Sequence, residues 1–346
     1  MGCGEVAIDP SSRQNHCCVM LFRKLKQRLK STAFLSVASF IIICDAACGK
    51  ENESLEILFI GNSYTGRHNL SKVVEAMAEA GNPGLEVNVS TVIYGGRRLV
   101  DHWRLGTANF VRSQKIGVSE IEKTIASLEK AFAENPKDNH AKSAIKRNQE
   151  FLDNPDTWRK KWDIVVLQSY RDDLEGETSP YMQYAPKFAK LAKDQGARVI
   201  LYETTPATQN AQPLTEAPEG AVVMEKENSI AALANRIEAQ VAPMALIGYR
   251  CQSERPDLTL RFVNDAHLNH TMAYLTAATL YAAMFDKSPE GLPVDSITDI
   301  RFFKGGDKSR DRDGNSITRV FSKKDRADLQ RIAWEGYSEF ERMRRN

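Results

Sequence analysis

Apolar runs that do not alternate set the tightest limit on what this chain can fold into. LEILFI (55 to 60), EVNVSTVI (86 to 93), DIVVL (163 to 167), RVILY (198 to 202) and MALI (244 to 247) have strand character. They read as continuous rather than alternating, as strands covered on both faces do. Helical patterns lie between them at 69 to 80, closed by Gly81, at 180 to 195, closed by Gly196, and at 220 to 241; glycine just past the last periodic residue is a stop signal. Alternating strand and helix predicts an α/β three-layer sandwich with a central, mostly parallel five-stranded sheet in a flavodoxin-like order.

Residues 116 to 161 interrupt the alternation with two lysine- and glutamate-rich helical stretches, SEIEKTIASLEKAFAENP and NHAKSAIKRNQEFLDNP, which predict an inserted helical hairpin capping the sheet edge. In the tail from 322 to 344, Leu329, Ile332, Ala333, Tyr337 and Phe340 recur at helical spacing, so a terminal helix packed on the body is expected. The expected organisation is a leader and linker over 1 to 50, a main domain over 51 to 290 and a C-terminal extension over 291 to 346.

Arg23, Lys24, Lys26, Arg28 and Lys30 precede the apolar stretch TAFLSVASFIIIC (32 to 44), and Ala46 and Ala47 follow it. That is the pattern of a secretory signal, and it is shorter than the roughly 20 residues a membrane span needs. An uncleaved signal anchor is the alternative. The first 19 residues do not fit a signal, which points to Met20 as the start of translation. DAAC (45 to 48) resembles a lipobox with Asp45 where an aliphatic residue is usual, so lipidation of Cys48 and plain secretion both stand as expectations. Either way export is expected, to the periplasm, cell envelope or exterior. After processing only Cys48 and Cys251 remain, which excludes a disulfide framework.

Lysine and arginine number 47 against 45 aspartates and glutamates. A net charge of +2 gives no electrostatic case for a nucleic-acid partner. In open parallel sheets ligands bind beyond the carboxyl ends of the strands, which singles out Gly61, Asn62, Ser63, Tyr64 and Thr65 after the first strand. Tyr94, Gly95 and Gly96 follow the second, Gln168, Ser169 and Tyr170 the third, and Glu203, Thr204 and Thr205 the fourth. A serine nucleophile needs a histidine to take its proton. Of six histidines, His16 lies in the leader, His140 in the charged insertion, and His68 too close in sequence to Ser63 to face it across a crevice. His102, in LVDHW, suits helical packing or a substrate contact. His267 and His270 fall in VNDAHLNHTMAYLTAATLYAAMF, and His267 sits where the polar loop meets the long apolar helix.

These residues resemble the conserved blocks of the SGNH hydrolase superfamily, the GDSL-like esterases and lipases. IGNSYT resembles the first block, with Ser63 matching the nucleophile; YGGRRLVDHW resembles a second block whose glycine amide helps form the oxyanion hole; NDAHLN resembles the last, with His267 matching the base. The resemblance covers roughly residues 55 to 286. It implies an SGNH fold, a Ser63–His267 pair, and an oxyanion hole from the Ser63 amide, the Gly96 amide and Gln168, which stands where the family usually has asparagine. The family's aspartate position, three before the histidine, holds Asn264, and Asp265 comes two before, so either would orient the imidazole. Asn62, Tyr64, Gly95 and Arg97 are the expected substrate contacts, and Arg67, Arg97 and Arg98 lie where they could meet an acidic substrate.

DKSRDRDGN (307 to 315) lacks the closing glutamate of a calcium loop and reads as an exposed turn. No zinc spacing, P-loop or dinucleotide fingerprint occurs, so no metal or cofactor is expected. The resemblance implies an exported serine esterase acting on acyl or acetyl esters of carbohydrates or lipids. The alternative is a catalytically degenerate binding module of the same fold, for glycans or cell-envelope components.

Overall fold

The computed structural model describes residues 53–172, 178–204, 208–302 and 305–346. The expectations for the leader, Met20 and Cys48 lie outside the described residues, as does Thr205. Five parallel strands, β1 (Glu53–Gly61), β2 (Leu85–Ile93), β3 (Ile164–Gln168), β4 (Arg198–Tyr202) and β5 (Gln240–Ala242), form a sheet in the order β2-β1-β3-β4-β5. That is the flavodoxin-like order, in which the chain leaves β1 toward β2 on one side and returns to β3 on the other.

The helices include α1 (Ser63–Gly66), α2 (Leu70–Gly81), α3 (Leu99–Arg104), α4 (Val118–Glu134), α5 (Asn139–Asp153), α6 (Pro180–Lys193), α7 (Ala221–Ile237), α8 (Met244–Glu254), α9 (His270–Phe285) and α10 (Lys323–Arg345). Successive strand residues point to opposite faces, and each face has its own core. Ile57, Phe59, Ile164, Val166 and Ile200 pack with α2, α9 and α10. Leu58, Ile60, Val165, Leu167 and Val199 pack with α6, α7 and the hairpin of α4 and α5. Two covered faces explain why the runs of β1, β3 and β4 are continuous, whereas the edge strand β2 is mostly half-buried. The second small sheet, β6 (Ser296–Thr298) with β7 (Thr318–Val320), is antiparallel and belongs to the extension. α10 buries Leu329, Ile332, Ala333, Tyr337 and Phe340 in the main cores, and Asn52–Asn346 form one compact unit. No helix among the described residues is long and apolar enough to cross a membrane.

The fifth strand differs from expectation. It is Gln240–Ala242, overlapping the end of the stretch expected to be helix, and MALI opens α8. Pro243 has no N–H to continue a ladder. Beyond it, Glu203 Oε2 accepts from the Ala245 amide at 2.8 Å and Glu227 Oε1 from the Leu246 amide at 2.7 Å. These carboxyl groups satisfy first-turn donors that would otherwise be orphaned, so the run is held as a helix by groups distant in sequence.

Candidate active site

β1 lies between β2 and β3, so its carboxyl end is the switch point where open α/β sheets form their ligand crevice. The chain turns there because Gly61 allows it: a Cβ would lie 2.4 Å from Thr65 Oγ1 and 2.6 Å from Gln168 Oε1. Asn62 caps α1, its Oδ1 accepting from the Tyr64 amide at 3.0 Å, while its Nδ2 donates to the Arg97 carbonyl at 3.1 Å. Ser63 is the first residue of α1, so its amide has no acceptor within the helix. Asn62, expected to touch substrate, is instead fully buried and ties the first loop to the second.

Ser63 Oγ lies 2.8 Å from His267 Nε2. On the far side of the ring, His267 Nδ1 meets Asp265 Oδ1, which also accepts from the His267 amide at 3.2 Å. Of the two residues proposed to orient the imidazole, Asp265 is the one beside it; Asn264 is exposed, its amide donating to Asp313 Oδ1 at 2.9 Å. The loop that carries them is pinched by a bridge between Arg261 and Leu268 and closed by Asn269. The Asn269 side chain caps α9 through the Met272 amide at 3.1 Å and donates to the Thr259 carbonyl at 2.7 Å. A short polar loop is thereby held rigidly enough to aim an imidazole at the end of β1.

Asp265 Oδ2 takes two guanidinium groups, Arg67 Nη1 at 3.1 Å and Arg312 Nε at 3.1 Å. Burial pushes the Asp265 carboxyl up, but the hydrogen bond and charge of His267 and the charge of Arg67 outweigh it, holding it below the usual carboxylate range. Arg67 is itself gripped by Asp299, with Nε on Oδ1 at 2.9 Å and Nη2 on Oδ2. Arg67 therefore faces carboxylates within the protein rather than an acidic substrate. Sequence reasoning missed Asp299, Arg312 and Asp313. The segment read as an exposed turn is exposed from 307 to 310, but Asp311 is buried and Asp313 takes the Val263 amide at 2.8 Å and the Asn264 amide at 2.9 Å.

Gln168, expected in the oxyanion hole, is fully buried beneath the nucleophile loop. Its Oε1 accepts from the Asn62 amide at 2.9 Å and the Thr65 hydroxyl at 3.1 Å, and its Nε2 donates to the Ser169 carbonyl. The amide N–H of Asn62 needs an acceptor, which fixes the orientation of Gln168 and directs one of its two side-chain N–H groups to the Ser169 carbonyl. Gly95 and Gly96 are exposed beyond β2, with Gly96 at φ 67°, the left-handed region glycine tolerates. Arg97 is half-buried beside them, and Arg98 faces Asp101. Tyr64 packs its ring 5.8 Å from that of His267, and burial pushes its hydroxyl pKa up.

Two further histidines brace the site. His102 is buried, with Nε2 2.9 Å from the Gly61 carbonyl and Nδ1 3.0 Å from the Thr107 hydroxyl. A carbonyl only accepts, so Nε2 carries the proton; burial lowers the His102 pKa to about 3. His68 donates to the Leu268 carbonyl at 2.8 Å, tying the segment after α1 to the His267 loop, and burial lowers its pKa to about 4.

No family model matches the chain, and neither does any curated protein. Among solved structures it is similar to a DUF4886 family protein from Bacteroides uniformis, 14% identical over 82% of this chain and 94% of that one, with a TM-score of 0.48. A protein from Slackia heliotrinireducens, provisionally described as an SGNH hydrolase, is 20% identical over 67% of this chain and 100% of that one, with a TM-score of 0.42. TesA is 12% identical over 67% of this chain and 98% of its own, with a TM-score of 0.37.

Proposed function

We propose that the chain is a serine hydrolase of the SGNH type that cleaves ester bonds. The observation that carries the proposal is the aligned set in which Ser63 Oγ meets His267 Nε2 at 2.8 Å while Asp265 holds the opposite ring nitrogen. In this reading His267 removes the Ser63 proton as the oxygen attacks the ester carbonyl, and Asp265 keeps the ring in the tautomer that can accept it. The Ser63 and Gly96 amides meet the oxyanion. Collapse releases the alcohol with a proton from His267, and a water deprotonated by His267 then frees the acid.

The finer reading is an exported esterase for acyl or acetyl groups on carbohydrates or lipids. The basic-then-apolar pattern of the leader supports export, and the resemblance of the three sequence blocks supports the ester chemistry. Hydrolysis of an acetyl ester by the chain from residue 53 onward, beside Ser63→Ala and His267→Ala, tests the proposal. Both variants are expected to lose activity by roughly 10⁴-fold or more. Equal rates in all three proteins would abolish the assignment and leave the binding module as the better account of the fold.

A further inference from the structure

Resting on that esterase reading, we propose that Arg67 and Arg312 are positioning residues. Together they occupy Oδ2 of Asp265, leave Oδ1 alone to face the imidazole, and weaken the hold of the carboxylate on an imidazolium. Each oxygen of Asp265 has its own set of partners: Oδ1 takes the His267 ring and amide, Oδ2 takes the two guanidinium groups. A carboxylate with one oxygen so held cannot rotate to offer the other. The holders come from opposite ends of the chain. Arg67 directly follows the turn that begins with Ser63, is 2% exposed, and is fixed by Asp299 and by packing over the Phe262 ring at 5.2 Å. Arg312 comes from the extension, and its neighbour Asp313 takes the Val263 and Asn264 amides, so this dipeptide grips both the side chain and the backbone of the loop.

The charges decide the sign of the effect. The imidazole faces Asp265, Ser63 and the Tyr64 ring; behind Asp265 stand Arg67 and Arg312, and behind Arg67 stand Asp299 and His68. Two guanidinium groups against two carboxylates leave little net negative charge to stabilise a proton on the ring. Removing one guanidinium leaves an excess of negative charge and makes the protonated ring easier to form.

Arg67 is unsuited to the test, because its loss would leave Asp299 buried without its partner. Arg312 is 20% exposed, and Arg312→Gln and Arg312→Lys separate charge from shape. The His267 ring signals are followed by NMR across the acid range, and kcat and KM are measured over the same range. Arg312→Gln is expected to lower kcat about tenfold with KM changed less than about twofold. It should also raise both the ring titration midpoint and the acid limb of kcat/KM by about half to one pH unit. Arg312→Lys is expected to return the midpoint and limb toward wild type while leaving part of the kcat loss. An unmoved ring midpoint in Arg312→Gln overturns the proposal, whatever happens to kcat. The ring signals are read without substrate, so wild-type rates in Ser63→Ala would sink the esterase reading alone.

Discussion

At the scale of single residues, the placement of two guanidinium groups on one oxygen of Asp265 makes an amide at that position more damaging than its size suggests. In Asp265→Asn, Arg67 and Arg312 present only donors, so the amide oxygen must turn to them and the NH₂ must face the ring. His267 Nδ1 then has to accept, its proton moves to Nε2, and Nε2 can no longer take a proton from Ser63. The expected outcome is a fall in kcat of roughly 10⁴, the loss that the wrong tautomer produces in a characterised serine protease, with the thermal midpoint little changed. A fall below about tenfold would mean that the ring is oriented by something else. Gln168 gives the complementary case. If it only braces the nucleophile loop, Gln168→Leu leaves the Asn62 amide and Thr65 hydroxyl without an acceptor and should reduce stability by about 1 to 3 kcal/mol in urea unfolding. A true oxyanion donor would instead raise the reaction barrier by roughly 2.7 to 4 kcal/mol.

Among the elements, the strands were legible wherever an apolar run was bounded by polar or glycine-containing turns, and β1 to β4 fall within a residue or two of their sequence limits. β5 and α8 were not, because a four-residue apolar run has no period that separates strand from helix. The decision lies with Glu203 at the end of β4 and Glu227 on α7, which a linear pattern cannot join to Ala245 and Leu246. Ser63 and His267 could be found because strand ends and helix starts are where such groups can be aimed. Arg312 and Asp313 sit in a segment whose composition is that of any solvated turn, and only the folded chain brings them to Asp265. The α8 cap is itself testable. Burial, with Glu203 beside it, pushes the Glu227 carboxyl well above its ordinary range. Glu227→Gln keeps an acceptor for the Leu246 amide and is expected to stay within about 0.5 kcal/mol of wild type near neutral pH. Glu227→Ala leaves that amide unsatisfied and should lose about 1 to 3 kcal/mol.

For the whole molecule, the buried groups that brace the site also set how folding responds to acid. His102 and His68 have folded pKa values lowered from 6.5 to about 3 and about 4, so each is neutral in the fold while its unfolded counterpart takes up a proton below 6.5. Their contribution is fully present above 6.5 and is lost as pH falls toward the folded values, at about 1.4 kcal/mol per pH unit for each histidine. Glu227 acts in the opposite sense. Its folded pKa is raised, so above 4.5 the folded state holds a proton that the unfolded state has released, and stability grows as pH falls toward 4.5. Between 6.5 and 4.5 Glu227 therefore offsets part of the loss that the two histidines cause on acidification. His270, also lowered by burial, steepens it further. Asp265 and Asp299 are held below the ordinary 3.8, so their share disappears only in stronger acid and leaves this window to the histidines and Glu227. Urea unfolding at a series of pH values separates the contributions. His102→Gln should flatten the slope even though it is less stable near neutrality, and Glu227→Gln should steepen it. A slope that neither substitution changes would mean that these side chains exchange protons in the fold as freely as they do in the unfolded chain, and that burial beneath the crevice does not govern their charge.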